Sequence, residues 1–388
     1  MRRCLVCLNL LLGCLPAVRT EDSLVGQRVV VIRDNAALET NGKEVAKAAE
    51  CTVFTVNSVQ GSFLWIESEK AYVRRNDVVP FPDAIAHYTR QLETDKTAQN
   101  YWHRAQIWQL KGELDFALGD MNEAIQLNST ESIFFDNRGT LWKEKMEYDK
   151  AIADYSEAIR LDPMSGWAYN NRGLAWHSKK EYDKAIADYD EARKHTNPNE
   201  KVSVLCDSEI TSGDFTAMVD SRALTFNNRG WAWQNKGNYD KALIDYETAI
   251  RLDPKYQQPR INRRDVWVKQ KAWNKVIADY EATLQESTPT AADCNELAWL
   301  RATCPDERYR NGKQAVEFAT KACELSAWKE ANNLETLAAA YAEVGDYDQA
   351  VEWQKKGLDL ATADEKADFE TRLKLYQDKK PCRQPAGQ

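Results

Sequence analysis

The stretch FDNRGTLWKEKMEYDKAIADYSEAIRLDP, from Phe135 to Pro163, decides the fold because nearly the same string occurs twice more. From Tyr169 the chain reads YNNRGLAWHSKKEYDKAIADYDEARKHTNP, and from Phe226 it reads FNNRGWAWQNKGNYDKALIDYETAIRLDP. Gly139 and Gly173 are 34 residues apart. A period of this length indicates a helix-turn-helix unit that buries its apolar face by stacking on a neighbouring unit.

This string resembles the tetratricopeptide repeat in its small residues at Gly139, Ala151 and Ala158, its aromatics at Trp142, Tyr148 and Tyr155, and Pro163 after the second helix. The resemblance implies a mainly α fold, a right-handed superhelix of about seven helix-turn-helix repeats. In this register the repeats begin at Ala98, Ser132, Gly166, Ala223, Gln257, Ala291 and Ala331. We expect repeats 1–3 in residues 98–199 and repeats 4–7 in residues 223–364.

Two segments fall outside the repeat register. Residues 200–222 lie between repeats 3 and 4, as either a flap over a groove or a disordered bulge, and we interpret them as a bulge. Residues 365–380 form an amphipathic stretch that predicts a helix capping the last repeat. From Pro381 onward we expect disorder.

Residues 24–80 alternate apolar and polar positions in the runs RVVVIRD, CTVFTVNSVQ, SFLWIES and AYVRRNDVV. Short strands joined by tight turns predict a small β-barrel. Gly26, the step from Gly61 to Trp65 and the closing YVRRNDVV resemble bacterial SH3-like domains. The resemblance implies binding of peptides or cell-wall material, and a folded cap on the first helix of the solenoid is the alternative.

Residues 1–20 carry Arg2 and Arg3 and then an apolar run from Cys4 to Leu15 that is too short to span a bilayer. This pattern predicts an export signal peptide. The sequence LLGC, ending at Cys14, looks like a lipobox, which makes Cys14 a lipidation candidate. Cleavage near Thr20 and an uncleaved anchor are the alternatives. We therefore expect a periplasmic or cell-envelope location, with membrane contact only through the signal or a lipid.

The 388 residues are 43% hydrophobic, which suits a long solenoid. The formal net charge is −8, which argues against nucleic acid or an acidic membrane surface as the partner. The four histidines have no nucleophile or metal partner at a recognisable spacing, and the chain contains neither G-x-x-x-x-G-K-[ST] nor G-x-S-x-G. The sequence predicts no enzyme activity, no cofactor and no metal.

Three of the six cysteines after Cys14 fall in repeat 6: Cys294, Cys304 and Cys323. An exported chain can keep disulfides. Antiparallel helices bring Cys294 near Cys323, whereas Cys304 in the long turn can fold back onto Cys323 instead. We expect a bridge to Cys323, with buried free thiols as the alternative.

In the tetratricopeptide family, positions 2, 5, 6, 9, 12 and 13 of each first helix line the concave groove. Position 6 here is Asn in four repeats, and positions 2, 5 or 9 supply four tryptophans. An Asn amide can give one donor and one acceptor to a peptide backbone, although a purely local hydrogen bond is the alternative. The candidate peptide-binding residues are Asn137, Asn171, Asn228, Asn262, Trp102, Trp167, Trp231 and Trp299.

Positions 7 and 23 are equally regular, with Arg138, Arg172, Arg229 and Arg263 at the first and Asp154, Asp188, Asp245 and Asp279 at the second. We interpret them as structural ion pairs, with an anion-binding stripe as the alternative. The function expected from the whole pattern is a protein-interaction scaffold that binds an extended peptide or partner protein in the groove. The alternative is a structural cell-envelope component that self-associates or binds cell-wall polymer through the SH3-like domain.

Overall fold

The computed structural model describes residues 24–196, 201–205, 216–286 and 289–384. The chain divides into two compact units, Met1–His195 and Thr196–Gln388, called here the N-terminal unit and the C-terminal unit. The candidate signal peptide and Cys14 lie outside the described residues.

The N-terminal unit begins with short antiparallel strands in two small sheets, ordered β4-β1-β8 and β3-β2-β7-β6-β5. In β6 Leu64 and Ile66 are fully buried, whereas Phe63 and Trp65 on the other face are partly exposed. This architecture is compatible with an SH3-like domain. The strands are β1 Arg28–Val31, β2 Ala36–Thr40, β3 Lys43–Ala48, β4 Val53–Thr55, β5 Ser58–Gln60, β6 Phe63–Ile66, β7 Ala71–Arg74 and β8 Val78–Pro80.

Seven helices follow the strands in this unit, and after α1 they form three antiparallel pairs, one pair for each of repeats 1–3. The helices are α1 Ala84–Thr94, α2 Ala98–Leu110, α3 Leu114–Leu127, α4 Ser132–Glu144, α5 Tyr148–Leu161, α6 Gly166–Ser178 and α7 Tyr182–His195.

The C-terminal unit contains four further pairs, repeats 4–7, and one final helix. Its helices are α8 Ser221–Asn235, α9 Tyr239–Leu252, α10 Gln258–Lys269, α11 Trp273–Glu286, α12 Ala291–Thr303, α13 Gly312–Leu325, α14 Ala331–Glu343, α15 Tyr347–Leu360 and α16 Lys366–Gln377. Over the described residues, seven helix pairs, with one further helix before them and one after, follow a β region and confirm the predicted mainly α repeat fold.

Most of the pairs turn through a residue with a left-handed backbone, which glycine adopts without strain. Gly112, Gly237 and Gly345 hold φ values of 78°, 79° and 87° at this place. Met146 and Lys180 occupy the equivalent place with φ values of 60° and 62°.

The interpretation of residues 200–222 as a disordered bulge is wrong for the ends of that segment. Strands β9 Lys201–Leu205 and β10 Thr216–Asp220 form an antiparallel ladder. Val219 is fully buried. The carboxylate of Asp220 caps α8 by accepting a 2.9 Å hydrogen bond from the backbone N–H of Arg222. The hairpin is thus anchored on the helix that it precedes, and residues 206–215 lie outside the described residues.

Helix α16 packs on α15 through the buried side chains of Phe369 and Tyr376. The expectation of disorder from Pro381 onward is wrong for Pro381–Gln384. Cys382 is buried, and the backbone N–H of Gln384 donates a 2.9 Å hydrogen bond to the carbonyl of Thr303. The buried Cys382 side chain and the hydrogen bond to a carbonyl at the end of α12 hold this segment in place. No periodic sequence pattern predicts these contacts.

Candidate functional site

The first helices of the repeats are positioned by a close contact between glycine and tyrosine. A Cβ atom added at Gly139 would lie 2.8 Å from Cε1 of Tyr155, and one added at Gly173 would lie 2.7 Å from Cε1 of Tyr189. Both tyrosines are fully buried. The two helices of a repeat therefore approach more closely than any side chain at the glycine would allow.

Paired arginine and aspartate side chains lock the same helices. The Nε and Nη2 atoms of Arg172 donate to the two carboxylate oxygens of Asp188 at 2.8 and 2.7 Å. This two-point geometry is the strongest form of the ion pair. The same contact joins Arg138 to Asp154 and Arg229 to Asp245, and Arg263 pairs with Asp279. The predicted structural ion pairs are confirmed.

Sequence reasoning missed two members of this set. Arg104 and Asp120 make the same pair in repeat 1, with nitrogen–oxygen distances of 2.7 and 2.6 Å. In repeat 5 the glycine position is taken by Arg264, whose Nε donates to Asp279 at 2.6 Å and whose guanidinium lies 3.8 Å from the Tyr280 ring centre. The sequence signal for the contact of Arg264 is an arginine at position 8, where other repeats have glycine.

The asparagines at position 6 use their amide donors inside the protein. Nδ2 of Asn137 donates to the carbonyl of Ile133 at 2.7 Å, one turn back on its own helix. Nδ2 of Asn171 instead reaches both carboxylate oxygens of Asp136 on the preceding first helix, at 3.1 and 3.2 Å. The local alternative therefore describes Asn137, whereas Asn171 ties two neighbouring first helices together.

Asn262 repeats the arrangement of Asn171 in the C-terminal unit. Its Nδ2 donates to Oδ1 of Asn227 at 2.9 Å, across 35 residues of sequence. Asn228 is buried beside Asn227, whose Nδ2 lies 3.5 Å from the Asn228 Oδ1. These amides brace adjacent helices at the groove positions, and their grip on a bound peptide remains a prediction.

The four candidate tryptophans lie in different surroundings. Trp102 packs against Phe134 with ring centres 5.9 Å apart, and its buried indole N–H has no hydrogen-bond partner among the described residues. Trp167 is partly buried. Trp231 is 42% exposed. Trp299 is covered on one face by the guanidinium of Arg372 from α16, 5.2 Å from the ring centre, so it offers less open surface than a groove pocket would.

Charged groups at the groove positions of repeat 2 are held in a poorly solvated place. Burial raises the pKa of the Asp136 carboxyl, a shift that the hydrogen bond from Asn171 opposes. Burial likewise lowers the pKa of the Lys143 ammonium. At position 12 of repeat 3, burial lowers the pKa of His177 to about 4, so its imidazole is neutral at pH 7.

The expected disulfide to Cys323 is absent from the described residues, where Cys294, Cys304 and Cys323 are all buried free thiols. Cys323 packs in a cluster with Ala319 and Leu334, whereas Cys304 packs with Trp267 and Leu300 in a separate cluster. The long turn therefore directs the Cys304 side chain toward the preceding repeat. Burial raises the pKa of Cys323 to about 12.

A second cluster of titratable side chains joins the strands to helices α1 and α2. Sγ of Cys51 lies 3.3 Å from the Tyr88 hydroxyl, which donates to Oε1 of Glu50 at 3.1 Å. Nδ1 of His103 lies 3.0 Å from the same Glu50 oxygen. Burial raises the pKa of Cys51 to about 12, so at neutral pH it is a thiol and a poor nucleophile. The cluster acts as a structural junction.

A cleft of about 580 Å³ lies beside the turn between α8 and α9. Trp233 and Lys241 line it, with the ammonium 4.1 Å from the ring centre. The same stacking recurs between Lys150 and Trp142 at 4.4 Å, so it belongs to the repeat itself. Among the described residues no group of three His, Cys, Asp or Glu side chains is placed to hold a metal ion.

Within the same described ranges, none of the helices has the length and apolar character needed to cross a membrane.

Three segments match models of one family. Residues 223–256 and 331–364 match models described as "Tetratricopeptide repeat", and residues 144–180 match one described as "TPR repeat".

Among curated proteins, the chain is 24% identical over 161 residues to "Tetratricopeptide repeat protein 29" of Trypanosoma brucei brucei (strain 927/4 GUTat10.1). The match covers 37% of this chain and 34% of the relative, so the chain spans about a third of that relative's length.

Two solved structures are similar at a low level. Yeast Tom70 has 16% identity and a TM-score of 0.49, covering 77% of this chain and 59% of that one. A tetratricopeptide repeat protein from Parabacteroides merdae ATCC 43184 has 17% identity and a TM-score of 0.42, covering 78% and 93%. The three matched segments, together with the recurring glycine–tyrosine and arginine–aspartate contacts, show that both units of this chain contain tetratricopeptide repeats.

Proposed function

We propose that the chain is a non-enzymatic scaffold that binds an extended peptide or partner protein at the groove positions of its first helices. The observation that carries the proposal is a pair of exposed apolar side chains, Trp231 on α8 and Ile261 on α10. They are 42% and 50% exposed at groove positions 9 and 5 of two helices that contact each other.

Large apolar side chains on a charged protein surface mark interaction sites when they lie together, and tryptophan is the residue most enriched at binding hot spots. The hydrogen bond between Asn262 and Asn227 fixes the two helices that carry them. Gln234 donates to Asp265 between the same helices. The surface is therefore held in place before any ligand arrives, which reduces the entropy lost on binding.

Selection of peptides from a displayed random library on the full chain tests this proposal. We expect Trp231→Ala and Ile261→Ala to weaken a selected peptide at least about tenfold, or about 1.4 kcal/mol. Ile244→Ala is the matched control, because Ile244 is 61% exposed on the second helix α9. Equal affinity of the Trp231→Ala and parent proteins would place the binding surface elsewhere.

A second candidate function, attachment to cell-wall polymer in an envelope structure, is favoured by an aromatic face on the strands. Trp65 and Tyr72 lie on the outer face of the five-stranded sheet with ring centres 4.8 Å apart, and Phe63 lies 6.4 Å from Tyr72. Retention of the parent protein, but not of Trp65→Ala, on purified cell-wall sacculi is the result that this function requires.

We also propose that the chain is exported and reaches the membrane only through its signal or a lipid on Cys14. The basic start and short apolar run of residues 1–20 support this proposal. Fractionation of cells that express Cys14→Ser should find the variant released from the membrane fraction. A mature N-terminus at Glu21 would instead indicate ordinary cleavage and contradict the lipid anchor.

A further inference from the structure

The last helix and the segment after it cover the groove positions of repeats 6 and 7. Arg372 of α16 forms an ion pair with Glu335, at position 5 of α14, and its guanidinium lies over Trp299, at position 9 of α12. These are positions at which a tetratricopeptide groove is expected to meet its ligand. In this part of the C-terminal unit the chain itself occupies them.

After α16 the backbone reverses and returns along the same surface. Lys379 has a left-handed φ of 54°, and the N–H of Lys380 donates to the carbonyl of Leu375 at 2.9 Å. Residues 381–384, called here the tail segment, then run against the C-terminal ends of α12 and α14. The segment belongs to no helix or strand.

Each residue of the tail segment that makes a contact uses a different kind of chemistry. Cys382 is 8% exposed in a cluster lined by alanines, among them Ala302 and Ala338. Nη1 of Arg383 lies 2.7 Å from Oε2 of Glu343, at position 13 of α14. The N–H of Gln384 donates to the Thr303 carbonyl at 2.9 Å.

The surface that contacts the tail segment is rich in hydrogen-bond acceptors and small side chains. Ala302 and Thr303 end α12, so their carbonyls have no partner in the helix and carry the negative end of its dipole. Nε of Arg310 holds the other carboxylate oxygen of Glu343 at 3.1 Å, which orients that carboxylate toward Arg383. Such a surface selects an extended backbone with a small apolar side chain followed by an arginine.

We infer that the tail segment is an internal ligand of the groove in repeats 6 and 7, and that a partner peptide with a small apolar residue followed by arginine binds there by displacing it. This inference rests on the proposed function and names the chemistry of one partner. The described contacts of the tail are the ion pair of Arg383, whose side chain is 37% exposed, a 3.4 Å hydrogen bond from Arg383 Nη1 to the Ala302 carbonyl, the backbone hydrogen bond of Gln384 and the apolar packing of Cys382. Its release is therefore a local opening within reach of a competing ligand.

The tethered tail has a high effective concentration at its site, so a free peptide must overcome it. Arg383→Glu places two negative charges together at Glu343 and should release the tail in the full chain. The matched control is Lys380→Glu, the same charge change at an exposed side chain just before the segment.

Alkylation of Cys382 in the native full chain reports the release directly. We expect Arg383→Glu to raise its labelling rate at least about tenfold, because an exposed thiol reacts and a buried one does not. Lys380→Glu should label as the parent does, and buried Cys51 should stay protected in all three proteins. Fast labelling of Cys382 in the parent would overturn the inference, since the tail would not be docked.

Binding in trans is measured by fluorescence anisotropy with a labelled peptide of residues 381–388 that carries Ala for Cys382. The peptide should bind Arg383→Glu saturably and bind the parent at least about tenfold more weakly. Adding Glu343→Gln to the released chain should abolish binding, as should Gln for Arg in the peptide. A peptide that fails to bind the released chain overturns the inference, and the Trp231 surface, tested separately, would still decide the proposed function.

Discussion

At the residue scale, the repeats depend on tyrosines that lie against glycines. Tyr155, Tyr189 and Tyr246 are each fully buried and touch the backbone space of Gly139, Gly173 and Gly230. A methyl group at any of these glycines has to displace an aromatic ring that is enclosed on all sides. Because the interior is close-packed, inserting a methyl group at such a point lowers the free energy of unfolding.

Gly173→Ala should destabilise the N-terminal unit by about 1–3 kcal/mol, because the new Cβ would lie 2.7 Å from the Tyr189 ring. Gly119→Ala is the matched control. Gly119 is exposed in helix α3 with nothing within 4 Å of an added Cβ, so alanine there should stabilise by about 0.5–1 kcal/mol. Urea unfolding followed by circular dichroism measures both, and equal effects of the two changes would contradict this account.

His177 should make the N-terminal unit less stable in mild acid. Burial holds its folded pKa at about 4, below the ordinary value of 6.5, so the unfolded chain binds the proton more readily. Its contribution to the free energy of unfolding is therefore complete above pH 6.5 and is lost as the pH falls toward 4. Unfolding in urea at several pH values should show this loss.

His177→Gln should reduce that loss, because the amide does not titrate. Burial also lowers the pKa of His87 in the same unit, so part of the pH dependence should survive the substitution. His87→Gln in addition should remove a further part. If His177→Gln and the parent lose the same free energy between pH 6.5 and 4, the buried neutral imidazole is not the cause.

At the element scale, the asparagines of position 6 separate into two structural roles. Asn171→Ala removes the amide donor from the partly buried Asp136 carboxylate and should cost about 1–3 kcal/mol. Asn137→Ala removes only a bond to its own helix carbonyl and should cost about 0.5 kcal/mol or less. Thermal unfolding of the two variants compares them at the same repeat position, and a larger loss for Asn137→Ala would contradict the distinction.

The sequence predicts the helix pairs well because their contacts repeat with the chain. The glycine at position 8 and the pair at positions 7 and 23 meet within one repeat, as Arg172 and Asp188 do. The partner of a position 6 asparagine depends instead on the neighbouring repeat. That partner stands at position 5 of the preceding first helix, as Asp136 for Asn171 and as Asn227 for Asn262, so its residue type cannot be read from position 6 alone.

Contacts without a period escape sequence reasoning altogether. The cover of Arg372 over Trp299 joins two elements far apart in the chain. Arg383 and Ala302 are 81 residues apart. Each of these contacts occurs once, so no register predicts it. The sequence therefore groups Trp299 with Trp231 as a groove residue, although Trp231 is 42% exposed and Trp299 is covered by Arg372.

At the scale of the whole molecule, the C-terminal unit presents groove positions in two states. Repeats 4 and 5 expose Trp231 and Ile261, whereas repeats 6 and 7 are covered by α16 and the tail segment. An apolar surface that is open and one that is filled in cis bind partners under different conditions. Under the proposed function, we expect the first to bind at its intrinsic affinity and the second to bind only after the tethered segment is displaced.

The buried thiols of the described residues give the last prediction. Cys51, Cys294, Cys304, Cys323 and Cys382 are buried free thiols. Because burial raises the pKa of Cys51 and of Cys323 to about 12, almost no thiolate is present at neutral pH and oxidation has no nucleophile to start from. These thiols should therefore persist even in the oxidising compartment that an exported chain would meet.

Alkylation in denaturant, before and after reduction, measures this by mass spectrometry of the peptides. We expect equal labelling of Cys294, Cys304 and Cys323 in the two samples. Labelling of Cys323 only after reduction would show a bridge, which would require the Cys323 side chain to leave its cluster with Leu334 and Ala319 and so open the packing of α13 on α14. The midpoint temperature of thermal unfolding would then be higher in the oxidised sample than in the reduced one, which is a second and independent sign of the same bridge.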